Sequence, residues 1–285
     1  MNKIIFGPAG SPNRFKDSKF KSTLDLPQWV KDQGLDTLEY ACGRGIVMGE
    51  EFAGKFAIAA KDADIKLSMH APYFINLATE ELEKQEKTWK YLADSVKFSK
   101  IMGADRIVFH PGSAAKDRTA ALERALKLFF RFLEWMEEVD PENEIRLGVE
   151  THGKANQMGN VAELIALCKL NPKRVIPVID WSHLYAVQNG GFTEAGDYQT
   201  ILELLAKELG DQVLDNLHMH FSAIEYGPSG EVRHWTFADE FGPNREPLIE
   251  ALIKVNATGR VICECAGTQD VDALALQKIY TTMLK

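Results

Sequence analysis

Short apolar runs alternate with longer amphipathic stretches along the chain. Eight of the short runs fit β-strands, at a spacing of about one βα unit each. They cover residues 3–6, 37–40, 66–70, 106–110, 145–150, 175–180, 217–220 and 260–264. Between them lie stretches such as residues 80–102 and 117–139, where apolar residues recur every three or four positions, as in helices that pack on a sheet. The alternation predicts parallel strands joined by crossover helices.

The length of the chain favours one closed structure. A chain of 285 residues with 45% hydrophobic content suits one (β/α)8 TIM barrel of class α/β. A Pro/Ser/Gly-rich linker is absent from the sequence, and residues 226–230 form a predicted exposed turn before a return segment. We therefore expect a single domain over residues 1–285.

Composition indicates the compartment, the state of the cysteines and the kind of partner that the protein can bind. Four apolar residues before Gly7-Pro8 are too few for a signal-peptide core, and no apolar run approaches the length of a membrane span, which predicts a cytoplasmic protein. The four cysteines lack paired CxxC spacing and are predicted to be buried thiols rather than a disulfide or a zinc–sulfur site. A formal net charge of -8 argues against nonspecific adhesion to nucleic acid, although metal ions can create a local cationic site.

Six of the eight predicted strands end on a potential metal ligand: His70, His110, Glu150, Asp180, His220 and Glu264. A single histidine at a strand end is more often structural, but six such residues at the catalytic end of one barrel are hard to attribute to packing. His183 follows Asp180 by three residues, and His234 lies beyond the predicted turn. The sequence therefore predicts a metal centre at this end of the barrel.

The ligand types favour zinc, although Mn²⁺ or Fe²⁺ tolerates the same set. Three carboxylates and two or three divalent ions would leave the filled site positive, so that it attracts an anion. A carboxylate that bridges two ions about 3.5 to 4 Å apart is typical of two-metal phosphodiester hydrolysis.

Seven segments resemble the endonuclease IV family of apurinic/apyrimidinic endonucleases (family 2), within the xylose-isomerase-like TIM barrel superfamily. They are Ser68-Met-His-Ala-Pro-Tyr-Phe-Ile-Asn-Leu-Ala78, Val108-Phe-His-Pro-Gly-Ser113, Gly148-Val-Glu-Thr151, Ile179-Asp-Trp-Ser-His183, His220-Phe-Ser222, Val232-Arg-His234 and Ile262-Cys-Glu264. The first two are the most specific. The resemblance runs over most of the chain and implies a zinc-dependent phosphodiesterase, a monomer, that cuts double-stranded DNA 5' to abasic sites.

The resemblance also implies a role for each ligand. His70, His110 and Glu150 resemble the ligands of one zinc; Glu150, the expected catalytic residue, also bridges to a second zinc held by Asp180, His220 and Glu264. His183 and His234 resemble ligands of a third. The bacterial enzymes have Asp-Arg-His where this chain has Val232-Arg233-His234. We therefore expect the third ion to lack this aspartate and to be completed by water or a neighbouring side chain, with two zinc ions bound firmly and the third weakly.

Other loops offer candidate contacts to DNA. Tyr73 and Phe74 match the family's wedge after the third strand and can stack on exposed bases, or else pack on the barrel top. Arg44, between two glycines, is a candidate phosphate contact or a solvated loop residue. The sequence leaves open whether His152 faces the pocket, and it predicts that His218 is a core residue.

Two other classes of function compete with the nuclease. A sugar isomerase or epimerase of the same superfamily needs only Glu150, Asp180, His220 and Glu264 around one divalent ion. The additional pair His70 and His110 favours the nuclease. A noncatalytic metal-binding protein is the third class, since Val232 and the acidic charge fit a loss of DNA activity.

Overall fold

The computed structural model describes residues 3–20, 22–114 and 116–285. Eight parallel strands form one sheet: β1 (Ile4–Pro8), β2 (Thr37–Ala41), β3 (Lys66–His70), β4 (Arg106–Phe109), β5 (Arg146–Glu150), β6 (Val175–Asp180), β7 (Leu217–Phe221) and β10 (Gly259–Cys263). Two further strands, β8 (Ala223–Gly227) and β9 (Gly230–Trp235), lie between β7 and β10 in the sequence and form a separate hairpin. The order in the sheet is β1-β10-β7-β6-β5-β4-β3-β2. The sheet closes where Ala9 pairs with Glu39 in parallel and Gly10 N donates to Glu39 O at 2.8 Å. The predicted (β/α)8 TIM barrel is confirmed.

Helices cover the outside of the barrel. They are α1 (Asn13–Lys16), α2 (Leu26–Asp32), α3 (Glu50–Asp62), α4 (Leu82–Met102), α5 (Arg118–Val139), α6 (Val161–Cys168), α7 (Trp181–Val187), α8 (Ala195–Leu209), α9 (Arg245–Lys254) and α10 (Gln269–Met283), with 3-10 turns at Thr23–Asp25 and Asp211–Asn216. Local chemistry sets their ends: Asp117 caps α5 by accepting from Ala120 N, and Gly103 ends α4 at φ 72. The two helices predicted from periodicity, residues 80–102 and 117–139, correspond to α4 and α5.

The barrel strands are buried on both faces, as expected for a sheet covered by helices. All six residues of β6 are buried, and Phe109 of β4 packs edge-on against Phe129 of α5 with ring centroids 5.7 Å apart. The four cysteines are buried free thiols, as predicted. Among the described residues, no helix combines the length and the apolar character needed to cross a membrane.

An antiparallel hairpin interrupts the βα repeat after β7. It consists of β8 (Ala223–Gly227) and β9 (Gly230–Trp235), joined at the turn predicted from the sequence. Glu231 N donates to Gly153 O at 2.7 Å, which ties the hairpin to the loop after β5. Gly230 has φ +96, and a Cβ there would overlap the Gly153 carbonyl, so only glycine permits this approach. The hairpin is thereby held over the C-terminal end of the barrel.

Candidate metal centre

Glu150 is fully buried at the C-terminal end of β5, and its carboxylate contacts His70 and His110, two of the histidines that line a cavity of about 760 Å³. Its Oε2 lies 3.0 Å from His70 Nε2 and 3.4 Å from His110 Nε2. Its Oε1 lies 2.8 Å from His220 Nδ1. Because each oxygen faces a different set of histidines, Glu150 is shared by two groups of potential ligands.

The second group combines Glu150 with Asp180, His220 and Glu264, from the ends of four strands or the loops that follow them. Glu264 Oε1 lies 3.3 Å from His220 Nδ1. Asp180 Oδ1 caps α7 by accepting from His183 N at 2.8 Å, which leaves Oδ2 buried without a hydrogen bond. A buried carboxylate oxygen without a donor is costly unless a cation meets it, so this atom fits a metal ligand.

A third group contains His183, His234 and a carboxylate that the sequence analysis did not assign. Glu231 Oε2 lies 3.6 Å from His183 Nε2, and Glu231 Oε1 lies 3.6 Å from His234 Nε2. These separations are longer than hydrogen bonds and close to the roughly 3.3 Å between neighbouring ligands of a tetrahedral zinc. The sequence analysis left open which neighbouring side chain completes this group, and the structure brings Glu231, the residue before Val232, next to the two histidines.

A β-bulge explains how Glu231 replaces the expected ligand. In the hairpin Tyr226 pairs with Glu231 and Glu225 pairs with Arg233, so that Val232 is an extra residue without a partner. An extra residue breaks the strict alternation of side chains between the two faces of a strand. Val232 is 60% exposed, whereas Glu231 and His234 both line the cavity.

The histidines are oriented by atoms outside the three groups. His70 Nδ1 donates to the carbonyl of Ala71 at 2.9 Å, and His183 Nδ1 donates to the carbonyl of Thr151 at 3.0 Å. His234 Nδ1 lies 2.7 Å from Ser222 Oγ. Since carbonyls only accept, Nδ1 of His70 and of His183 carries a proton, and Nε2, which faces the Glu150 carboxylate in His70 and the Glu231 carboxylate in His183, is the nitrogen that a metal can bind in place of a proton. Such partners fix the ring and tautomer of metal ligands.

The electrostatics favour cations in the cavity. Burial by itself lowers a histidine pKa, but the hydrogen bond and charge of Glu150, with Glu39 and Glu264, outweigh it and raise the pKa of His70 to about 9. For His183 burial is likewise outweighed by the charges of Asp180, Glu150 and Glu231, which raise its pKa. The buried carboxylates therefore create a negative potential that holds a proton, or a metal in its place.

Two histidines near the rim behave differently. Burial, with the neighbouring His183, lowers the pKa of His152 to about 4, and burial also holds the pKa of His110 well below its usual range. The two rings lie 4.4 Å apart between centroids. His152 lines the cavity, so the structure places it in the pocket as a neutral imidazole whose Nδ1 accepts from Lys154 N at 3.3 Å.

The rim carries the candidate substrate contacts. Tyr73 and Phe74 line the cavity with 62% and 54% of their surfaces exposed, so they are not packed into the barrel top. Tyr73 N donates to Gly43 O at 3.0 Å, which joins its loop to the loop that carries Arg44. Arg44 is exposed and does not line the cavity, whereas Lys154, which sequence reasoning missed, does.

Glu39 is a buried acid that sequence reasoning also missed. It lies inside the barrel on β2 with no exposed surface and contacts His218 and His220, each through Nε2 at 3.0 Å. His218 is buried as predicted, but it belongs to this polar cluster rather than to the apolar core. The signal in the sequence was a glutamate in the middle of an otherwise apolar strand.

Comparison with known proteins identifies the family. The family described as xylose isomerase-like TIM barrel matches residues 27–279. The chain belongs to this family. An uncharacterised protein of Methanocaldococcus jannaschii is 33% identical over 282 residues, which cover 98% of each chain. A probable endonuclease 4 of Staphylococcus carnosus is 25% identical over 232 residues, 79% of this chain and 71% of that one. The resemblance to endonuclease IV is thereby confirmed.

Solved members of the same barrel fold have more than one activity in their names. Endonuclease IV from Thermus thermophilus superposes with a TM-score of 0.73 at 19% identity, covering 98% of this chain and 99% of the other. A D-tagatose 3-epimerase-like protein superposes with a TM-score of 0.71 at 15% identity, covering 99% and 100%. At these identities the likeness concerns the fold, and the site has to decide the activity.

Proposed function

We propose that the protein is a metal-dependent endonuclease that hydrolyses the phosphodiester 5' to abasic sites in double-stranded DNA. The whole chain, residues 1–285, would act as one barrel domain, and the cofactor would be zinc, with Mn²⁺ or Fe²⁺ as alternatives for the same ligands. The observation that carries the proposal is the sharing of Glu150 between two ligand groups beside a third group that contains Glu231.

The ligand groups fit a phosphodiester substrate better than a sugar. Metal ions bound at such a site supply Lewis acidity and the charge that neutralises a phosphoryl group. Glu150 would hold two of the positions at a fixed separation through its two oxygens. Ala71 and Thr151, through their carbonyls, would keep His70 and His183 in the tautomer that leaves Nε2 free. Lys154 on the rim offers a cation to the DNA backbone.

A sugar isomerase or epimerase is the second candidate, because an epimerase-like structure shares the fold. The group of Glu150, Asp180, His220 and Glu264 would suffice for that chemistry with one ion. Beside it, however, lie the group with His70 and His110 and the group with His183, Glu231 and His234, which a one-metal reaction on a carbonyl-adjacent carbon does not use. Metal stoichiometry therefore separates the two candidates.

The deciding experiment is incision of a duplex oligonucleotide that carries one abasic analogue, with an undamaged duplex as the control. The metal content of the same preparation is measured by elemental analysis. We expect cleavage 5' to the lesion and about two to three zinc ions per chain. An intact duplex, about one ion per chain and epimerisation of a ketohexose would instead support the isomerase class.

Removal of the exposed aromatic side chains tests the DNA-facing rim. Tyr73→Ala and Phe74→Ala are each expected to lower kcat/KM for the abasic duplex about 5- to 100-fold, because stacking on a base is worth about 1–3 kcal/mol. Metal content and melting temperature should stay at the wild-type values, since both side chains are more than half exposed.

Phe130→Ala is the matched control, because Phe130 is an exposed aromatic residue, at 49%, on helix α5. It should leave incision unchanged, and Tyr73→Phe should retain most of the activity. If Tyr73→Ala lowered the melting temperature without affecting incision, packing rather than stacking would be its role.

A further inference from the structure

Three polar side chains meet at the buried carboxylate of Glu39. Its Oε2 accepts from Ser68 Oγ at 2.8 Å and lies 3.0 Å from His218 Nε2, while its Oε1 lies 3.0 Å from His220 Nε2. All four side chains are fully buried. Glu39 pairs in register with Ser68, two residues before His70, and His218 precedes His220 by two residues on β7, so the cluster lies one layer deeper in the barrel than the candidate metal centre.

His220 connects the two layers. Its Nε2 faces Glu39, while its Nδ1 lies 2.8 Å from Glu150 Oε1 and 3.3 Å from Glu264 Oε1. Carboxylates only accept, so Nε2 of His220 carries a proton toward Glu39 and Nδ1 carries one toward Glu150. A cation bound by Glu150, Asp180 and Glu264 would take the place of the Nδ1 proton, while the Nε2 proton would stay beside Glu39. A bond from a carboxylate to the far nitrogen of a histidine ligand orients the ring and raises its basicity.

We propose that Glu39 is a positioning residue for the second ligand group: its carboxylate holds His220 as an Nδ1 ligand and strengthens the retention of the ion bound there. The inference rests on the proposed metal centre. The carbonyls of Ala71 and Thr151 orient His70 and His183 from the side away from the ligand groups. Glu39 orients His220 in the same way, but it carries a full negative charge.

The charge explains why a glutamate is found in this position. A buried carboxylate is costly unless it is neutralised or accepts several hydrogen bonds, and a neutral carbonyl could orient the ring at a lower cost. The expense is offset if a divalent ion lies on the other side of the imidazole, because the carboxylate then stabilises the positive charge through the ring. Ser68 Oγ donates a hydrogen bond to Oε2 of the carboxylate, and His218 Nε2 lies 3.0 Å from the same oxygen.

Glu39, His218 and His220 could instead hold an ion of their own, since their ligand atoms are close together. The two histidine Nε2 atoms are only 3.2 Å apart and each is at hydrogen-bond distance from Glu39. His220 would then have to bind ions through both nitrogens, which requires loss of both ring protons. The arrangement that keeps a proton on His220 Nε2 avoids that cost, and metal counting distinguishes the two arrangements.

The test is metal retention in Glu39→Gln. Wild-type and variant proteins, loaded with Zn²⁺ or Co²⁺, are dialysed against increasing concentrations of a chelator, and ions per chain are counted by elemental analysis. We expect one ion to leave the variant at an about 10- to 100-fold lower chelator concentration, with the other ions retained as in the wild type. The visible spectrum of the Co²⁺ form should change as well, because the geometry around His220 changes.

Glu163→Gln is the matched control, because Glu163 is also a buried glutamate but caps helix α6 away from the metal groups. It should lower thermal stability and leave metal retention and the Co²⁺ spectrum unchanged. If Glu39→Gln fails to fold, Glu39→Asp provides the second variant. It keeps the negative charge but places it farther from His220, so one ion should leave at a chelator concentration between those of the wild type and Glu39→Gln.

Two results would overturn the positioning role. Glu39→Gln could retain every ion with an unaltered Co²⁺ spectrum, or the wild type could hold an extra ion that Glu39→Gln lacks from the outset, which would make Glu39 a ligand. Activity is not part of this test. A wild type that binds several ions but does not cut DNA refutes the proposed nuclease, and the retention measurements still decide the role of Glu39.

Discussion

Glu150→Gln is expected to lower incision of the abasic duplex by at least about 1000-fold while the barrel stays folded. The two oxygens of Glu150 face different ligand groups, at 3.4 Å or less from His70, His110 and His220. An amide presents one acceptor and one donor, so it cannot serve two cations at once. The variant should therefore weaken both ligand groups, which no other substitution of a single described carboxylate would do.

The measurement is single-turnover incision together with ions per chain, and circular dichroism establishes that the fold is retained. Glu134→Gln on the exposed face of helix α5 makes the same chemical change away from the cavity and should behave as wild type. Incision at the wild-type rate by Glu150→Gln would contradict the shared-carboxylate arrangement and with it the two-metal mechanism.

The barrel and the ring of strand-end residues could be predicted because each strand is an apolar run that stops at a polar side chain. The predicted boundaries of β3 and β6 coincide with the observed ones, Lys66–His70 and Val175–Asp180. Parallel strands in a barrel bring their C-terminal ends to one place, so residues far apart in the sequence converge without any information about individual contacts. That physical rule accounts for His70, Glu150 and Asp180 meeting at one end of the barrel.

The two missed acids show what such a rule leaves out. Glu39 lies within β2, where the alternation of side chains predicts one polar face of the strand. The alternation does not show that this face is buried inside the barrel below the candidate metal centre. Glu231 depends on a bulge, which changes the face of every side chain beyond it. Neither the closure of the barrel interior nor a one-residue bulge leaves a periodic signal in a single sequence.

Glu231→Gln is expected to remove the third ion under mild chelation and to lower kcat/KM for the abasic duplex about 100-fold. The carboxylate lies between His183 and His234, 3.6 Å from Nε2 of each. Among the described residues, Glu231 supplies the one carboxylate of this ligand group. Without its charge, two neutral imidazoles remain, which hold a divalent ion far less tightly. Elemental analysis after dialysis should find one ion fewer than in the wild type.

Val232→Asp separates this arrangement from the one expected from the bacterial sequence pattern. If position 232 were the ligand position, an aspartate there would strengthen retention of the third ion and rescue Glu231→Gln. The bulge instead leaves Val232 60% exposed and without a strand partner, so the added carboxylate should remain in solvent. We therefore expect Val232→Asp alone to leave ion content and incision unchanged, and the double variant to resemble Glu231→Gln. If the double variant instead recovered the third ion and incision, the bulge would not fix which residue faces the two histidines. Strand β9 would then be able to shift by one residue, so that position 232 takes the place of Glu231.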